Sequence, residues 1–300
     1  MSKAEHIAVV GASGMLGTAF RRVAERRGIA MTAIDEDRID LRNHDAAEVI
    51  ERLAGEHGFD TLINCAAYTD VDGAETDEDA ATEVNGLGVA RLAAGCRAAG
   101  IPIIHFSTDY VFEGNANTPY SADRPRAPLN AYGRSKAAGE AALESSDADW
   151  LCVRTSWLYA AWGKNFVLTM AKLLAERDEL KVVDDQRGRP TSSVQLAERS
   201  LDLLVAGGRG MWHLTDAGEC TWCGLTRHIA DVIGSTASVS PCTTDEFPRP
   251  ARRPAYSVLD IEPAESAIGP AVDWKVCVRT VLADAGLSSH NDPIEKVPAP

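Results

Sequence analysis

Short apolar runs alternate with amphipathic stretches along the first half of the chain. The apolar runs predict strands at 7–10, 29–34, 61–66 and 103–107. The amphipathic stretches predict helices at 16–27, 46–57 and 83–99, each followed by a glycine. Strands and helices that alternate at this spacing indicate βαβ units and a parallel sheet covered on both faces.

The pattern is less regular in the second half. Residues 152–154 and 180–183 read as strands and 166–177 as a helix, and prolines interrupt the pattern at 241–254. We predict an α/β fold, with a Rossmann-like doubly wound parallel sheet in residues 1–150 to which some later segments return. A smaller α+β C-terminal substrate lobe is expected mainly within 151–287, and the polar, proline-containing end, 288–300, is predicted to be frayed.

Three glycines, Gly11, Gly14 and Gly17, stand between the first predicted strand and the first helix. One glycine allows the tight turn, one lets backbone amides approach a diphosphate, and one allows close packing of helix on strand. This GxxGxxG spacing predicts a dinucleotide site and is associated with short-chain dehydrogenase/reductases. The intervening Ser13, Met15 and Leu16 are candidate cofactor contacts.

The end of the second strand carries groups that could select the ribose. Asp35 is placed to bind the 2′-hydroxyl of NAD, whereas Arg38 is placed to meet the 2′-phosphate of NADP, so the choice stays open. Asp40 and Leu41 are candidates to flank the adenine ring, although a surface aspartate before a helix would look the same.

Tyr132 and Lys136 are four residues apart in a predicted helix, which places both side chains on one face. A nearby ammonium is expected to lower the pKa of the phenol, and the same lysine can hydrogen-bond the nicotinamide ribose. Thr108, at the end of a predicted strand, would bind the substrate's carbonyl oxygen as charge develops there.

Composition narrows the range of partners. The chain has 30 basic and 44 acidic residues, a net charge of −14, which disfavours nucleic acid and anionic membrane surfaces. No apolar run approaches the roughly 18 residues of a membrane span. Seven scattered cysteines indicate a reduced, cytoplasmic setting, and Cys220 and Cys223 are expected to be ordinary thiols rather than a redox or metal pair.

Seven segments in order resemble the dTDP-4-dehydrorhamnose reductases, a family of extended short-chain dehydrogenase/reductases, over nearly the whole chain. The segments are 11–17, 64–75, 107–114, 128–136, 154–159, 184–191 and 253–260. The resemblance implies NADPH or NADH as cofactor, a dTDP-sugar as substrate, and reduction of its C4 ketone, most simply dTDP-4-dehydro-L-rhamnose to dTDP-L-rhamnose.

The resemblance also implies roles for individual residues. Thr108, Tyr132 and Lys136 match the catalytic residues. Further cofactor contacts are implied at Ala66, Ala67, Tyr68 and Asn85. Substrate contacts are implied at Asp109, Trp157, Gln186, Pro190, Thr191 and Arg253. Alternatives remain for two of these, since Trp157 could be a core residue between lobes and Arg253 a solvated charge.

Several alternatives stay open. Tyr110 stands where related 4,6-dehydratases carry a glutamate base, which disfavours elimination. Ala122 replaces a common glutamate, which leaves room for a variant sugar, as in reductases of the dihydrostreptose type. A non-catalytic NADP-binding regulatory subunit is a further alternative, and a monomer or homodimer is expected. Some family members bind Mg²⁺, but the acidic run 70–79 reads as a solvated face, and no metal site is predicted.

Overall fold

The computed structural model describes residues 4–288. Its strands are β1 (His6–Val10), β2 (Ala30–Ile34), β3 (Thr61–Asn64), β4 (Ile103–Thr108), β5 (Trp150–Thr155), β6 (Leu158–Tyr159), β7 (Glu179–Val183), β8 (Arg187–Gly188), β9 (Thr191–Ser192), β10 (Gly210–His213), β11 (Cys220–Thr221) and β12 (Ser238–Cys242). Its helices are α1 (Met15–Arg27), α2 (Ala46–His57), α3 (Glu78–Thr82), α4 (Gly88–Ala99), α5 (Ala131–Glu144), α6 (Phe166–Glu176), α7 (Ser193–Val205), α8 (Trp222–Ile233), α9 (Glu262–Ile268) and α10 (Trp274–Asp284). A π-helical turn, Glu83–Leu87, joins α3 to α4. Apart from Ser288, the tail predicted at 288–300 lies outside the described residues.

Six parallel strands form the central sheet, in the order β10-β5-β4-β3-β1-β2. The chain passes from β1 to β2 on one side and then crosses to β3 on the other, so the direction of winding reverses between β1 and β3. Ligands of doubly wound sheets bind at such a reversal, outside the carboxyl ends of the strands. The predicted Rossmann-like α/β fold is confirmed.

Alternate residues of the central strands face opposite hydrophobic layers. Ile7 and Val9 of β1 pack in a cluster with α1 and α7, whereas Ala8 and Val10 pack in a second cluster with α2 and α4. A strand buried on both faces reads as a continuous apolar run, which is why β1 was recognisable from the sequence.

A third hydrophobic cluster is built from α6, α8, α10 and β7, and every buried member lies beyond residue 156. In contrast, β5, α7 and β10 join the central sheet and its covering layer. We therefore propose that the chain forms two units. One is a Rossmann unit that includes these later segments, and the other is a smaller C-terminal lobe. None of the helices within residues 4–288 has the length and apolar composition needed to cross a bilayer.

A buried carboxyl group, Asp216, ties β6 to β9. Its Oδ2 accepts hydrogen bonds from the hydroxyl of Tyr159 (2.8 Å) and from the amide of Ser192 (2.9 Å). Burial raises the pKa of Asp216 to about 7, although both hydrogen bonds oppose the rise. The pKa of Asp216 is therefore higher in the native protein than in the unfolded chain. As the pH rises from about 4 towards 7, the buried group destabilises the native protein increasingly, and above pH 7 this destabilisation is complete.

We expect Asp216→Asn to be more stable than the wild type at pH 8 by about 1–3 kcal/mol, because the amide oxygen keeps both hydrogen bonds and no charge is buried. The advantage should shrink as the pH falls to 5. Urea unfolding at both pH values measures it, with the exposed Asp231→Asn as control. An advantage equal at both pH values would contradict the prediction.

Candidate active site

The loop between β1 and α1 brings backbone amides to the point where the winding reverses. Gly11 adopts a φ of +75°, and a Cβ atom there would lie 2.8 Å from the amide nitrogen of Ala66. Gly14 begins α1 in an extended conformation, and within residues 4–288 no side chain caps the amides that follow. These amides and the positive end of a 13-residue helix fit a diphosphate group.

Other predicted cofactor residues surround this loop. The amide of Ser13 donates to Asp35 Oδ1 at 2.8 Å, while the side chain of Leu16 is buried. The carbonyl of Met15 accepts a hydrogen bond from Trp162 Nε1 at 3.1 Å. Trp162 was not predicted, and it brings the second half of the chain against the first turn of α1.

The end of β2 presents both candidate ribose-binding groups. Asp35 is half-buried, whereas Arg38 is exposed and its guanidinium donates to a backbone carbonyl of β2. Leu41 is buried, and Asp40 pairs with Arg42, whose guanidinium holds the pKa of that carboxyl below its usual value. Because both an aspartate, Asp35, and an arginine, Arg38, lie at this position, the site is compatible with either NAD or NADP.

Asn85 braces two parts of the site. Its Oδ1 accepts from the amide of Tyr68 (2.9 Å), and its Nδ2 donates to the Tyr68 carbonyl (3.0 Å) and to Ser135 Oγ on α5 (2.9 Å). Ala66 and Ala67, in the same loop, are half-buried. Asn85 therefore holds this loop against α5, and a hydrogen bond donated to a cofactor would have to replace one of the two that its Nδ2 already donates.

Thr108, Tyr132 and Lys136 meet at the carboxyl end of β4. Tyr132 and Lys136 lie one turn apart on α5, and the Tyr132 hydroxyl lies close enough to Thr108 for this side chain to lower its pKa against the effect of burial. A Cβ atom at Gly133 would lie 2.2 Å from the carbonyl oxygen of Tyr110, so glycine is required for α5 to approach β4 this closely. The sequence predicted this convergence.

The electrostatics of the site differ from expectation. Burial raises the pKa of Tyr132 to about 12, and the nearby Asp109 raises it as well. Burial lowers the pKa of Lys136 to about 8, and its Nζ donates to the carbonyl of Phe106 at 2.6 Å and lies 3.2 Å from His105 Nε2. The expectation that Lys136 lowers the pKa of Tyr132 is therefore wrong here, because burial and Asp109 raise it and only Thr108 acts in the opposite direction. A phenol that stays protonated at neutral pH is a proton donor rather than a base.

Asp109 lies directly beside this group and is buried. Thr108 Oγ1 donates to Asp109 Oδ1 at 3.0 Å and accepts from the amide of Tyr110 at 3.2 Å. Burial raises the pKa of Asp109 to about 6, while Ser257 and Thr108 act to lower it. Asp109 therefore orients the hydroxyl of Thr108, and its contact with a substrate stays a prediction.

Trp157 is held in an unusual conformation. Within residues 4–288 it is the one non-glycine residue with a positive φ, +47°, and such strain persists only where surrounding contacts impose it. Its ring stacks on Trp222 of α8, with centroids 3.5 Å apart. Trp222 Nε1 donates to Gln186 Oε1 (3.1 Å), and Gln186 Nε2 donates to Thr244 (2.9 Å). These contacts favour a packing role for Trp157, and the amide of Gln186 is already bonded at both ends.

The remaining predicted substrate residues are also engaged with the protein. Pro190 and Thr191 are buried, and the amide of Thr191 donates to the carbonyl of Trp157 at 3.2 Å. The side chain of Thr191 is buried and its hydroxyl accepts a hydrogen bond from that of Thr155 at 3.3 Å, and its contact with a substrate stays a prediction. Arg253 pairs with Asp72 at 3.1 Å and is not a solvated charge.

The sequence of this chain also matches a known protein family. The sequence model of the family described as "RmlD substrate binding domain" matches residues 5–286. The chain belongs to this family.

Relatives of this RmlD-family chain include named reductases. A dTDP-4-dehydrorhamnose reductase of Streptomyces griseus is 41% identical over 278 residues, covering 90% of each protein. A dTDP-4-keto-6-deoxy-D-glucose reductase of Streptomyces niveus is 40% identical and covers 89% of this chain and 92% of that protein. The structure of a dTDP-4-dehydrorhamnose reductase of Bacillus anthracis in complex with NADP superposes with a TM-score of 0.89 at 31% identity, covering 94% of this chain and 100% of that one.

The acidic run 70–79 helps to place α5 in this RmlD-family chain. Glu75 Oε1 accepts from the amide of Ala131, the first residue of α5, at 2.8 Å, and Glu78 pairs with Arg134 at 2.6 Å. Asp70, Glu75, Asp77 and Asp79 are nevertheless exposed, as expected of a solvated face. Within residues 4–288, no group of three or more His, Cys, Asp or Glu side chains is arranged to hold a metal ion.

Proposed function

We propose that this protein uses NADPH or NADH to reduce the C4 ketone of a dTDP-4-dehydro-6-deoxyhexose, converting dTDP-4-dehydro-L-rhamnose to dTDP-L-rhamnose. The observation that carries the proposal is the convergence of Thr108, Tyr132 and Lys136 at the sheet edge that also bears the glycine loop. The Streptomyces griseus relative and the NADP complex of the Bacillus anthracis relative support the substrate and the cofactor.

The residues present fit a nicotinamide dinucleotide. A Cβ atom at Gly11 would collide with the backbone of Ala66, so glycine is required for this tight turn, and the uncapped amides at the start of α1 would bind a diphosphate. Asp35 or Arg38 would hold the adenosine ribose, and Lys136 the nicotinamide ribose. When bound, the cofactor supplies the hydride for the ketone carbon.

The side chains of the protein supply the proton and hold the oxygen. Tyr132, protonated at neutral pH, donates its phenolic proton to the oxygen of the former ketone. Thr108 has a single hydroxyl proton, which it donates to Asp109, so it must rotate to hydrogen-bond that oxygen. Tyr110 lies where a dehydratase would need a carboxylate, and burial raises its pKa further, which excludes it as a base at neutral pH.

A closely related sugar is the competing substrate. The 40% identical Streptomyces niveus relative is named for dTDP-4-keto-6-deoxy-D-glucose, and Ala122 departs from the common family pattern. A specialised reductase of the dihydrostreptose type falls in the same class. The complete set of Thr108, Tyr132 and Lys136 argues against a regulatory subunit without activity. We further propose a cytoplasmic enzyme that acts as a monomer or homodimer.

An absorbance assay at the nicotinamide band tests the proposal. The purified chain alone is given a panel of dTDP-4-keto-6-deoxy sugars, with NADH and NADPH in separate reactions. We expect cofactor consumption that depends on the sugar and is fastest with dTDP-4-dehydro-L-rhamnose. A faster reaction with another sugar would reassign the substrate. No consumption with any sugar, by a chain that still binds cofactor, would refute the enzyme.

The pH dependence of kcat/KM should follow the protonation state of Lys136. Because burial lowers its pKa to about 8, its ammonium is lost as the pH rises through this value, whereas Tyr132 stays protonated to about pH 12. We expect kcat/KM for ketone reduction to be level near pH 7 and to fall above pH 8, approaching about tenfold per pH unit. Initial rates between pH 6 and 10 measure this, and a profile that is flat to pH 10 would contradict it.

A further inference from the structure

A buried ion pair lies one turn beyond Lys136 on α5. The side chain of Glu140 is completely buried, and that of Arg154, on β5, is 3% exposed. Arg154 Nε donates to Glu140 Oε1 at 2.8 Å and Arg154 Nη2 to Glu140 Oε2 at 2.7 Å. Two parallel bonds of this kind fix both the distance and the orientation of the two groups.

The pair is also bonded to the strand that carries Thr108. Ser107 Oγ donates to Glu140 Oε1 at 2.6 Å, and Ser107 immediately precedes Thr108. One turn earlier on α5, Lys136 Nζ donates to the carbonyl of Phe106 on the same strand. The catalytic face of α5 is therefore bonded to two consecutive residues of β4.

Several of the titratable side chains around Lys136 are neutral near pH 8. The titratable groups packed around Lys136 and Glu140 are His105 on β4, Cys152 and Arg154 on β5, His213 on β10, Glu144 on α5 and Arg126 before α5. Burial lowers the pKa of both histidines and raises that of Cys152, so all three are neutral at pH 8. Burial lowers the pKa of Lys136, and Cys152 and then Glu140 act against that fall.

We infer that Glu140 is a positioning residue, which holds α5 against β4 through Ser107 and whose carboxylate, one turn away on the same buried face of the helix, compensates the charge of Lys136. The consequence for catalysis rests on the proposed function, but the effect on Lys136 does not. Arg154 orients the carboxylate and compensates the cost of burying it. The sequence offers a lysine for cofactor binding, and the structure adds a buried carboxylate one turn away from it on α5.

The test compares Glu140→Gln with Arg154→Met. Glutamine keeps the shape and an acceptor for Ser107 but loses the charge and leaves Arg154 unpaired, and both changes disfavour a nearby ammonium. We expect the pKa of Lys136 to fall by about one unit in Glu140→Gln, and kcat/KM at pH 8 to fall about fivefold. Arg154→Met disrupts the same ion pair but must not lower the pKa of Lys136.

The titration is measured by NMR of the protein labelled at its seven lysines, and the Lys136→Arg variant assigns the signal. Glu144→Gln, which removes a partly exposed partner of Arg126, is the matched control and should leave the titration unchanged. If Glu140→Gln does not fold, the double variant Glu140→Gln/Arg154→Met leaves no unpaired charge and should also lower the pKa.

The outcomes separate this inference from the proposed function. An unchanged pKa of Lys136 in Glu140→Gln, or an equal fall in Arg154→Met, would overturn the electrostatic role. A fall in Glu140→Gln alone supports it, even if none of the sugars is reduced. In that case the proposed substrate fails while the coupling between Glu140 and Lys136 stands.

Discussion

Tyr132→Phe is expected to lower kcat for ketone reduction by about 10³-fold while leaving NADPH affinity within about twofold of the wild type. The substitution removes only the hydroxyl beside Thr108, and the glycine loop that would hold the diphosphate is untouched. Because the pKa of Tyr132 lies near 12, the lost group is a proton donor under all ordinary assay conditions. Steady-state rates and fluorescence titration with NADPH measure the two effects separately.

Tyr110→Phe is the matched control. The ring of Tyr110 meets that of Tyr132 edge to face, with centroids 6.0 Å apart, so both variants lose one hydroxyl from the same aromatic pair. The control should keep activity within severalfold. If the two variants lose activity equally, or if Tyr132→Phe stays within tenfold of the wild type, the proton donor has been assigned wrongly.

Gly17→Ala is expected to destabilise the protein by about 3 kcal/mol or more and to abolish cofactor binding. A Cβ atom at Gly17 would lie 2.3 Å from the carbonyl oxygen of Gly11 and 2.6 Å from Cα of Ala12. All the nearest atoms belong to the backbone of the glycine loop, so no side chain can move aside. Either α1 must move away from β1 or the loop must change shape. Thermal unfolding and NADPH titration measure both effects.

Gly55→Ala provides the comparison, since both positions are helical glycines. Gly55 is exposed on α2, and a Cβ atom there would meet nothing within 4 Å. Alanine should stabilise that helix by about 0.5–1 kcal/mol and leave cofactor binding unchanged. A Gly17→Ala protein that unfolds at the wild-type temperature and binds NADPH would show that the close contact is not required.

Local signals in the sequence were sufficient to predict many of the helices and strands in the first half of the chain. Gly28, Gly58 and Gly100 were predicted to end three helices, and each adopts a φ between +65° and +69°, which glycine reaches without strain. The helix predicted at 83–99 was placed too late, because α3 already begins after its cap, Asp77. The polar, acidic start of that helix has too few apolar positions to reveal its period.

Contacts between distant parts of the chain could not be predicted. Trp222 lies between Cys220 and Cys223, which are free, buried thiols, and no local pattern indicated that its ring stacks on Trp157. Ser257 likewise reaches Asp109 from near the end of the described chain. The pKa of Tyr132 was misjudged for the same reason, since spacing along a helix reveals a neighbouring lysine but not the burial that outweighs it.

The position of β10 has a consequence for how the chain can be divided. β10 comes from the second half but pairs with β5 at the edge of the central sheet. A fragment cut after residue 150 would lack both strands and leave the hydrogen-bonding edge of β4 bare, which invites aggregation. Denaturation should therefore be a single cooperative event in which both halves of the chain melt together.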